Sequence, residues 1–158
     1  MPPPLSHVGA KLTPQWLGEV LLRGGRQRDY MDAAMPQFGE AQVGHLVELF
    51  GKVDKLEDAV LPKVTQLKES MAAGYEMVGT SGLGCIICHQ FNGQQAGEIS
   101  ALDLAHTTQR LQKNWFALFM RQPSRFHPTI IMPGFWPDGK SLRPNVLEGD
   151  TAQQIEAI

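Results

Sequence analysis

The sequence predicts an all-α fold in which short helices alternate with long loops. Apolar residues recur at helical spacing in several segments, and no segment shows the apolar–polar alternation of useful length that a strand requires. The 11 prolines and 16 glycines divide the 158 residues into short elements. A hydrophobic content of 42% with 19% charged residues is typical of a globular chain and not of a disordered one.

The first half of the chain contains two predicted helices. One runs from Pro14 to Arg23, because Thr13 can cap its start and the glycine pair that follows can end it. Residues 1–11 are predicted to form a loop or an incomplete element. The second helix covers residues 40–50, where one face carries Val43, Leu46, Val47 and Phe50.

Three more helices are predicted in the second half of the chain. The first covers about residues 64–78 and ends shortly before the only two cysteines. The second covers residues 107–121, where one face carries Leu111, Trp115, Leu118 and Phe119. Recurrent prolines keep the next stretch irregular, and Asp150 or Thr151 caps a last helix that reaches Ile158.

Charge and hydropathy point away from two classes of partner. A net charge of -2 gives no sign of nucleic-acid binding, and no apolar run is long enough to cross a membrane. The first ten residues, MPPPLSHVGA, lack the basic and apolar regions of a secretory signal peptide.

The two cysteines lie in the segment C85-I-I-C-H89, which predicts covalent attachment of one c-type haem. The thiols of Cys85 and Cys88 would each add to one vinyl group, so both sulfurs must reach neighbouring edges of one porphyrin ring. His89 would then lie beneath the iron and supply the proximal ligand. Because haem is normally attached to cysteines after export, the motif predicts a periplasmic or otherwise exported protein.

Three other interpretations of the cysteine pair remain. A disulfide between Cys85 and Cys88 would close a very short loop and leave His89 without a role. A thioredoxin-like redox pair would need a strand before the first cysteine, and none is predicted. A zinc site would need four ligands, usually two cysteine pairs, and the chain has only one pair.

The sixth iron ligand is predicted to be Met132. It lies in the loop from His127 to Pro137, with the sequence H-P-T-I-I-M-P-G-F-W-P, whose prolines would present its thioether rigidly. His/Met ligation raises the potential of haem iron and suits electron transfer. His127 is the rival ligand. The remaining candidates would have to fold back from the preceding helix or fit a helix core or a helix start: Met71, Met77, Met120 and His106.

Aromatic and basic side chains complete the predicted haem site. The predicted pocket walls are Trp115, Phe116 and Trp136, with ordinary core packing as the alternative. The cations that could pair with the haem propionates are Arg125, Arg110 and Lys140, with surface solvation as the alternative.

Five segments carry a family resemblance: G74-Y-E-M-V, G84-C-I-I-C-H-Q-F-N-G, R110-L-Q-K-N-W-F, M132-P-G-F and G149-D-T-A-Q-Q-I-E-A-I. Together they resemble a class I cytochrome c domain, most closely the haem domains of multi-domain, dehydrogenase-like proteins of planctomycete-type bacteria. The resemblance covers slightly more than half of the chain. It implies a cytochrome c fold around one covalent haem, with His89 as the proximal and Met132 as the distal ligand.

Two positions depart from the pattern that the resemblance implies. The first helix of such a domain packs across the last through a glycine and an aromatic residue. Gly74 fits the glycine, but Val78 stands where the aromatic is usual. The loop after the haem motif often carries G-P-x-L, whose proline carbonyl orients the proximal histidine. Here A101-L-D-L has no proline, which leaves the acceptor for His89 open.

The first half of the chain resembles the tail of the same domain. H7-V-G-A-K-L12 aligns with H106-T-T-Q-R-L111, Trp16 aligns with Trp115, and R28-D-Y-M-D-A-A-M-P-Q-F38 aligns with R125-F-H-P-T-I-I-M-P-G-F135 after a small indel. A generic helix–loop–helix is the alternative. The predicted organisation is a partial repeat without a haem motif at 1–51, a linker at 52–63 and a haem domain at 64–158 with a truncated last helix.

These features predict an electron-transfer domain that is not itself an enzyme and that serves a fused or docked oxidoreductase. The alternative is a haem enzyme or a gas sensor with an open sixth site, which requires that Met132 does not bind the iron. The repeat also predicts that the chain is a piece of a longer protein. In that hypothesis Met35 ligates a second haem encoded upstream of Met1, and the last helix is too short to cross the first.

Overall fold

The computed structural model describes residues 5–27, 35–99 and 101–158, so residues 28–34 of the predicted repeat lie outside the described chain. About 50% of the described structure is helical. Extended pairing within the described ranges is limited to two isolated bridges, Leu12 with Leu111 and Phe91 with Gln94. The all-α class is therefore confirmed. No helix in these ranges has the length and apolar character needed to cross a membrane.

Ten α-helices are described. They are α1 Val8–Lys11, α2 Pro14–Arg23, α3 Glu40–Val43, α4 His45–Val53, α5 Leu67–Val78, α6 Cys85–Cys88, α7 Thr107–Arg110, α8 Lys113–Arg121, α9 Pro123–Phe126 and α10 Thr151–Ala157. Two 3-10 turns, Pro137–Gly139 and Leu147–Gly149, lie between α9 and α10.

The chain forms two compact units. The first unit comprises the described residues up to Glu57 together with His106–Trp115, and the second comprises Asp58–Ala105 together with Phe116–Ile158. The first division falls inside the predicted linker at 52–63. Residues 106–115 group with the first half of the chain, whereas the sequence assigned them to the haem domain.

In the first unit, α2 has the boundaries that the sequence predicts. The Thr13 hydroxyl accepts a hydrogen bond from the Trp16 amide at 3.2 Å, and Gly24 ends the helix with φ 72°. Within residues 1–11, which the sequence predicts to form a loop or an incomplete element, the short helix α1 forms and packs against α4. A Cβ on Gly9 would lie 2.0 Å from the Phe50 carbonyl oxygen. The backbones of α1 and α4 are therefore in direct contact at this glycine, which has no side chain to separate them.

The predicted helix 107–121 is wrong as a single helix, because Leu111 and Gln112 separate α7 from α8. Leu111 is extended and pairs with Leu12, which is extended as well. The Thr13 amide donates to the Arg110 carbonyl at 2.9 Å, and the Gln112 amide donates to the Lys11 carbonyl at 2.8 Å. In the repeat alignment these two bonds are equivalent, and they pair the segments around Leu12 and Leu111 within the first unit at the expense of a continuous helix.

Two other helices differ from their predicted boundaries by a few residues. The predicted helix 40–50 divides at Gly44 into α3 and α4, and α4 continues to Val53. The predicted helix 64–78 begins only at Leu67. Gly44 itself keeps helical dihedral angles, φ -57° and ψ -38°, so the backbone conformation does not change at this residue.

The second unit is built around the contact between α5 and α10. A Cβ on Gly74 would lie 2.1 Å from the Ala157 carbonyl oxygen, so Gly74 occupies a helix contact as the resemblance implied. α10 contacts α5, and the expectation that it is too short to cross α5 stays a prediction. Asp150 caps α10 by accepting from the Gln153 amide at 2.8 Å. The buried core comprises Ala73, Met77, Ala117, Met120, Trp136, Val146 and Ile155.

Candidate functional site

The cysteine pair lies on a single helical turn in the second unit. Gly84 precedes α6 with φ 71°, a left-handed conformation that glycine adopts without strain. Cys85 and Cys88 are three residues apart on this turn, which directs both side chains toward one side. Both thiols are free and half-buried, and burial raises the pKa of the Cys85 thiol above its ordinary value. Two sulfurs on one side of a turn suit two thioether bonds to one ring.

His89 ends this turn with one ring nitrogen already engaged. Its backbone amide donates to the Cys85 carbonyl at 2.8 Å, and its Nδ1 lies 2.9 Å from the Leu102 carbonyl oxygen. Because a carbonyl can only accept, Nδ1 is the donor, and in the neutral imidazole Nε2 then keeps its lone pair. This hydrogen bond holds the imidazole in the tautomer that a metal ligand requires. The hydrogen-bond acceptor for His89, which the sequence left open, is therefore the backbone carbonyl of Leu102. The residue at this position is a leucine and not a proline.

The loop that carries Leu102 is fastened to the cysteine motif. Three backbone hydrogen bonds of 2.8–2.9 Å run from the amides of Ala96, Ala101 and Leu104 to the carbonyls of Ile86, Cys88 and Gln90. The Asp103 carboxylate accepts from three backbone amides of the same loop, those of Asn92, Gly93 and Ala105. The position of the Leu102 carbonyl is thus set by a network of local bonds, which fixes the plane of the His89 ring.

Met132 occupies an intermediate position among the methionines of the second unit. Its side chain is half-buried and packs against the core. Met77 and Met120 lie inside the core at 0% and 4% exposure, and Met71 is 60% exposed on α5. Enclosed methionines cannot present a sulfur to a cofactor without repacking. The structure leaves Met132 as the methionine at the edge of the core, and its role as a ligand stays a prediction.

A cleft of about 790 Å³ lies beside Met132 in the second unit. Its walls come from the end of α8, the Met132 loop and the start of α10, and they include Trp136 and Arg121. None of the described residues that line this cleft belongs to the C-x-x-C-H motif. The cleft therefore groups Met132 with Trp136 but not with His89.

The rival histidine ligands lie on the surface. His127 is exposed, and its ring meets the Phe119 ring edge-on at 6.5 Å between centroids. His106 is exposed at the start of α7 and belongs to the first unit. Neither histidine is enclosed by other side chains, as a residue in a buried ligand site would be.

The predicted pocket walls and propionate partners are dispersed. Trp115 is buried, but it belongs to the first unit, where the Lys11 ammonium lies 4.7 Å from its ring centroid. Trp136 is a core residue of the second unit, and Phe116 is half-buried against that core. Arg125 is exposed with its guanidinium 5.2 Å from the Phe126 ring. The remaining cations are Lys140, which is exposed, and Arg110, which lies in the first unit.

Three residues of the site were missed by sequence reasoning: Leu102, Arg143 and Gln154. Leu102 acts through its carbonyl, which residue type does not reveal. Arg143 donates from Nε and Nη2 to the Gly82 carbonyl, three residues before the first cysteine. Gln154 is completely buried, although its neighbour Gln153 on the same helix is exposed. The one sequence signal that Gln154 faces inward is its position on α10, next to the apolar residue Ile155.

The described residues bear on each competing interpretation of the cysteine pair. The two sulfurs are not joined, and no strand precedes Cys85 in the described chain. In the same ranges, no group of three or more His, Cys, Asp or Glu side chains is placed to hold a metal ion such as zinc. The residues that fit a covalent haem are Cys85, Cys88 and His89, whose Nε2 is available as a ligand.

No protein-family model, curated protein or solved structure matches this chain. The C85-I-I-C-H89 motif and the geometry around it are therefore the features that bear on its function.

Proposed function

We propose that this chain is an electron-transfer module that carries one c-type haem. Cys85 and Cys88 would hold the haem covalently, and His89 and Met132 would be its axial ligands. The observation that carries the proposal is the His89–Leu102 hydrogen bond, which in the neutral imidazole leaves the lone pair on Nε2, directly after a free cysteine pair.

The bound haem would supply a one-electron redox couple. The protein's own residues do the rest. The Leu102 carbonyl orients the imidazole and raises the basicity of Nε2 by accepting the Nδ1 proton in a hydrogen bond. The Met132 thioether, held against the core in a proline-framed loop, favours the reduced iron and hence a higher potential.

The module would exchange electrons with a fused or docked oxidoreductase and have no reaction of its own. Because attachment of haem to cysteines follows export, the proposed location is the periplasm or another exported compartment. Exposed apolar side chains lie within two residues of both proposed ligands in the sequence: Ile87 is 43% exposed and Ile131 is 96% exposed. Such residues can serve a transient contact with a redox partner.

The test is the mass of the polypeptide after production in cells with a working haem-maturation system. Acid-acetone extraction removes non-covalent haem, so the chain should retain the mass of one haem. Replacing both cysteines, Cys85→Ser with Cys88→Ser, should abolish this added mass. A parent chain without added haem would refute the proposal. A parent that retains haem but binds azide or carbon monoxide readily would instead favour the haem enzyme or gas sensor.

A further inference from the structure

Gln154 is a fully buried amide whose hydrogen-bonding capacity is satisfied on both sides. Its Oε1 accepts from the Trp136 indole Nε1 at 2.9 Å and from the Ser141 hydroxyl at 2.6 Å. Its Nε2 donates to the carbonyls of Arg143 at 2.8 Å and Val146 at 2.6 Å. Two donors and two acceptor sites are the full complement of a glutamine side chain. The amide is therefore a structural junction between α10 and the loop that precedes it.

The junction extends in two directions toward the proposed haem ligands. Trp136 is four residues beyond Met132 in the same loop, and its ring packs edge-on against Phe135 at 6.1 Å. In the other direction, Arg143 donates to the Gly82 carbonyl, just before the cysteine turn. A Cβ on Gly82 would lie 2.0 Å from the Glu76 carbonyl oxygen, so this segment has little freedom to shift.

A buried polar junction of this kind specifies one arrangement of the loop. An unmade hydrogen bond inside the core is costly, so the loop cannot slide along α10 without leaving the indole N–H or the amide unpaired. An apolar residue at position 154 would fill the space but would accept many loop positions. The network therefore restrains the loop that presents Met132.

The first unit shows the corresponding loop without this junction. Gly39 follows M35-P-Q-F38 at the place where Trp136 follows M132-P-G-F135. There Met35 is 47% exposed and Phe38 is 57% exposed, whereas Met132 and Phe135 pack against the core. The difference between the two loops coincides with the presence of the tryptophan that Gln154 holds.

We infer that Gln154 is a positioning residue, which holds the Met132 loop through Trp136 and so strengthens Met132 as the sixth ligand. The inference rests on the proposed function. Gln154 does not touch the cofactor in this scheme. It limits how often the thioether leaves the iron, and it therefore controls the access of external ligands and the redox potential.

The experiment measures azide affinity of the haem-loaded protein for Gln154→Leu, Trp136→Phe and the control Gln153→Leu, which changes an exposed neighbour on the same helix. Gln154→Leu should bind azide about tenfold more tightly than the parent, the size expected for losing one or two buried hydrogen bonds. Trp136→Phe, which keeps a ring but removes the N–H, should change azide affinity in the same direction. Gln153→Leu should equal the parent.

A double-mutant comparison separates positioning from a general loss of stability. In the Met132→Ala background the sixth site is already open, so Gln154→Leu should add nothing to azide affinity. Two outcomes would overturn the inference about Gln154 without affecting the proposed function. One is an equal gain in azide affinity from Gln154→Leu in both backgrounds, and the other is parent-like azide affinity for Trp136→Phe and Gln154→Leu. A parent without covalent haem, or a Met132→Ala variant with unchanged azide affinity, would overturn the proposed His/Met site and the inference together. If Gln154→Leu does not fold, the azide affinity of Trp136→Phe, measured in the parent and in the Met132→Ala background, tests the inference by itself.

Discussion

Two methionine–proline segments of nearly identical sequence have different surroundings in this protein. M35-P-Q-F38 lies in the first unit with Met35 and Phe38 largely exposed, and M132-P-G-F135 lies in the second unit with both apolar side chains against the core. In the first segment, the Gln37 amide donates to the carbonyls of Val20 and Met35, which ties the segment to itself and to α2. The tetrapeptide by itself therefore does not decide whether its methionine and phenylalanine are buried. The tertiary contacts of the residues that follow it decide this.

The two units nevertheless share a way of packing helices. Each places a glycine where one helix meets a backbone carbonyl of another, Gly9 against Phe50 and Gly74 against Ala157. They differ in how well the later helix is covered. On α4, Leu49 is 47% and Val53 is 68% exposed, whereas Ile155 on α10 is 2% exposed. The first unit therefore has the helix contact of the second without the same burial, and a second haem at Met35 stays a prediction.

The strongest test of this comparison exchanges each methionine for alanine. Met132→Ala should retain covalent haem, bind azide or carbon monoxide readily, and lower the potential by on the order of 100 mV, within the roughly 0.8 V that axial ligands span. Met35→Ala should leave spectrum and potential unchanged. Redox titration of the two variants beside the parent checks this. If Met132→Ala keeps the parent's potential, His127 becomes the first alternative ligand to replace.

The helix contacts predict a smaller effect, on stability. Gly74→Ala and Gly9→Ala should each lower the free energy of unfolding by about 1–3 kcal/mol, because the new methyl group meets a backbone carbonyl that must shift. Gly51→Ala is the matched control, since it lies within α4 with nothing within 4 Å of the added Cβ. That variant should be neutral or more stable by up to about 1 kcal/mol. Urea denaturation measures all three, and a neutral Gly74→Ala would contradict the close contact.

The Lys11 ammonium over the Trp115 ring predicts a modest contribution in the first unit. Lys11→Leu keeps an apolar side chain but removes the charge, and it should cost about 0.5–1 kcal/mol of stability. Lys11→Arg, which keeps a cation, should cost less. Tryptophan fluorescence during denaturation reports the transition. Equal stability of Lys11→Leu and Lys11→Arg would show that the cation does not stabilise the tryptophan.

The smallest effect is expected at the exposed pair on α2. Arg23 lowers the pKa of Glu19 below its ordinary value, chiefly through their hydrogen bond, and the two charges lie 2.8 Å apart. The corresponding positions in the second copy are Leu118 and Gln122, so the pair is a feature of the first unit alone. Because the folded pKa is lowered, any contribution exists above the unfolded pKa and disappears as pH falls through the folded one.

We therefore expect Glu19→Gln to leave stability at neutral pH unchanged within error, as is usual for exposed ion pairs. Thermal unfolding of Glu19→Gln and the parent, compared at neutral and at acidic pH, checks this expectation. A clear loss of stability at neutral pH that vanishes on acidification would show that the pair matters more than its exposure suggests.

The sequence by itself determined the features that depend on neighbours within one helical turn. Thr13 caps α2 and Asp150 caps α10, because a side-chain oxygen needs only an amide two or three residues away. The glycine after α2 ends that helix for an equally local reason. The spacing C85-I-I-C-H89 places two sulfurs three residues apart on one helical turn and the imidazole directly after it. The all-α class follows from the same short-range periodicity.

Tertiary structure decided the features that join residues far apart in the chain. The segment 107–121 has a helical pattern, yet it breaks at Leu111 because residues about 100 positions away offer its backbone hydrogen bonds. The acceptor for His89 is a backbone carbonyl, and every residue type has one. The role of Gln154 depends on Trp136 and Ser141 meeting it inside the core. Periodicity and residue type describe local free energies, whereas these contacts exist only after distant segments pack together.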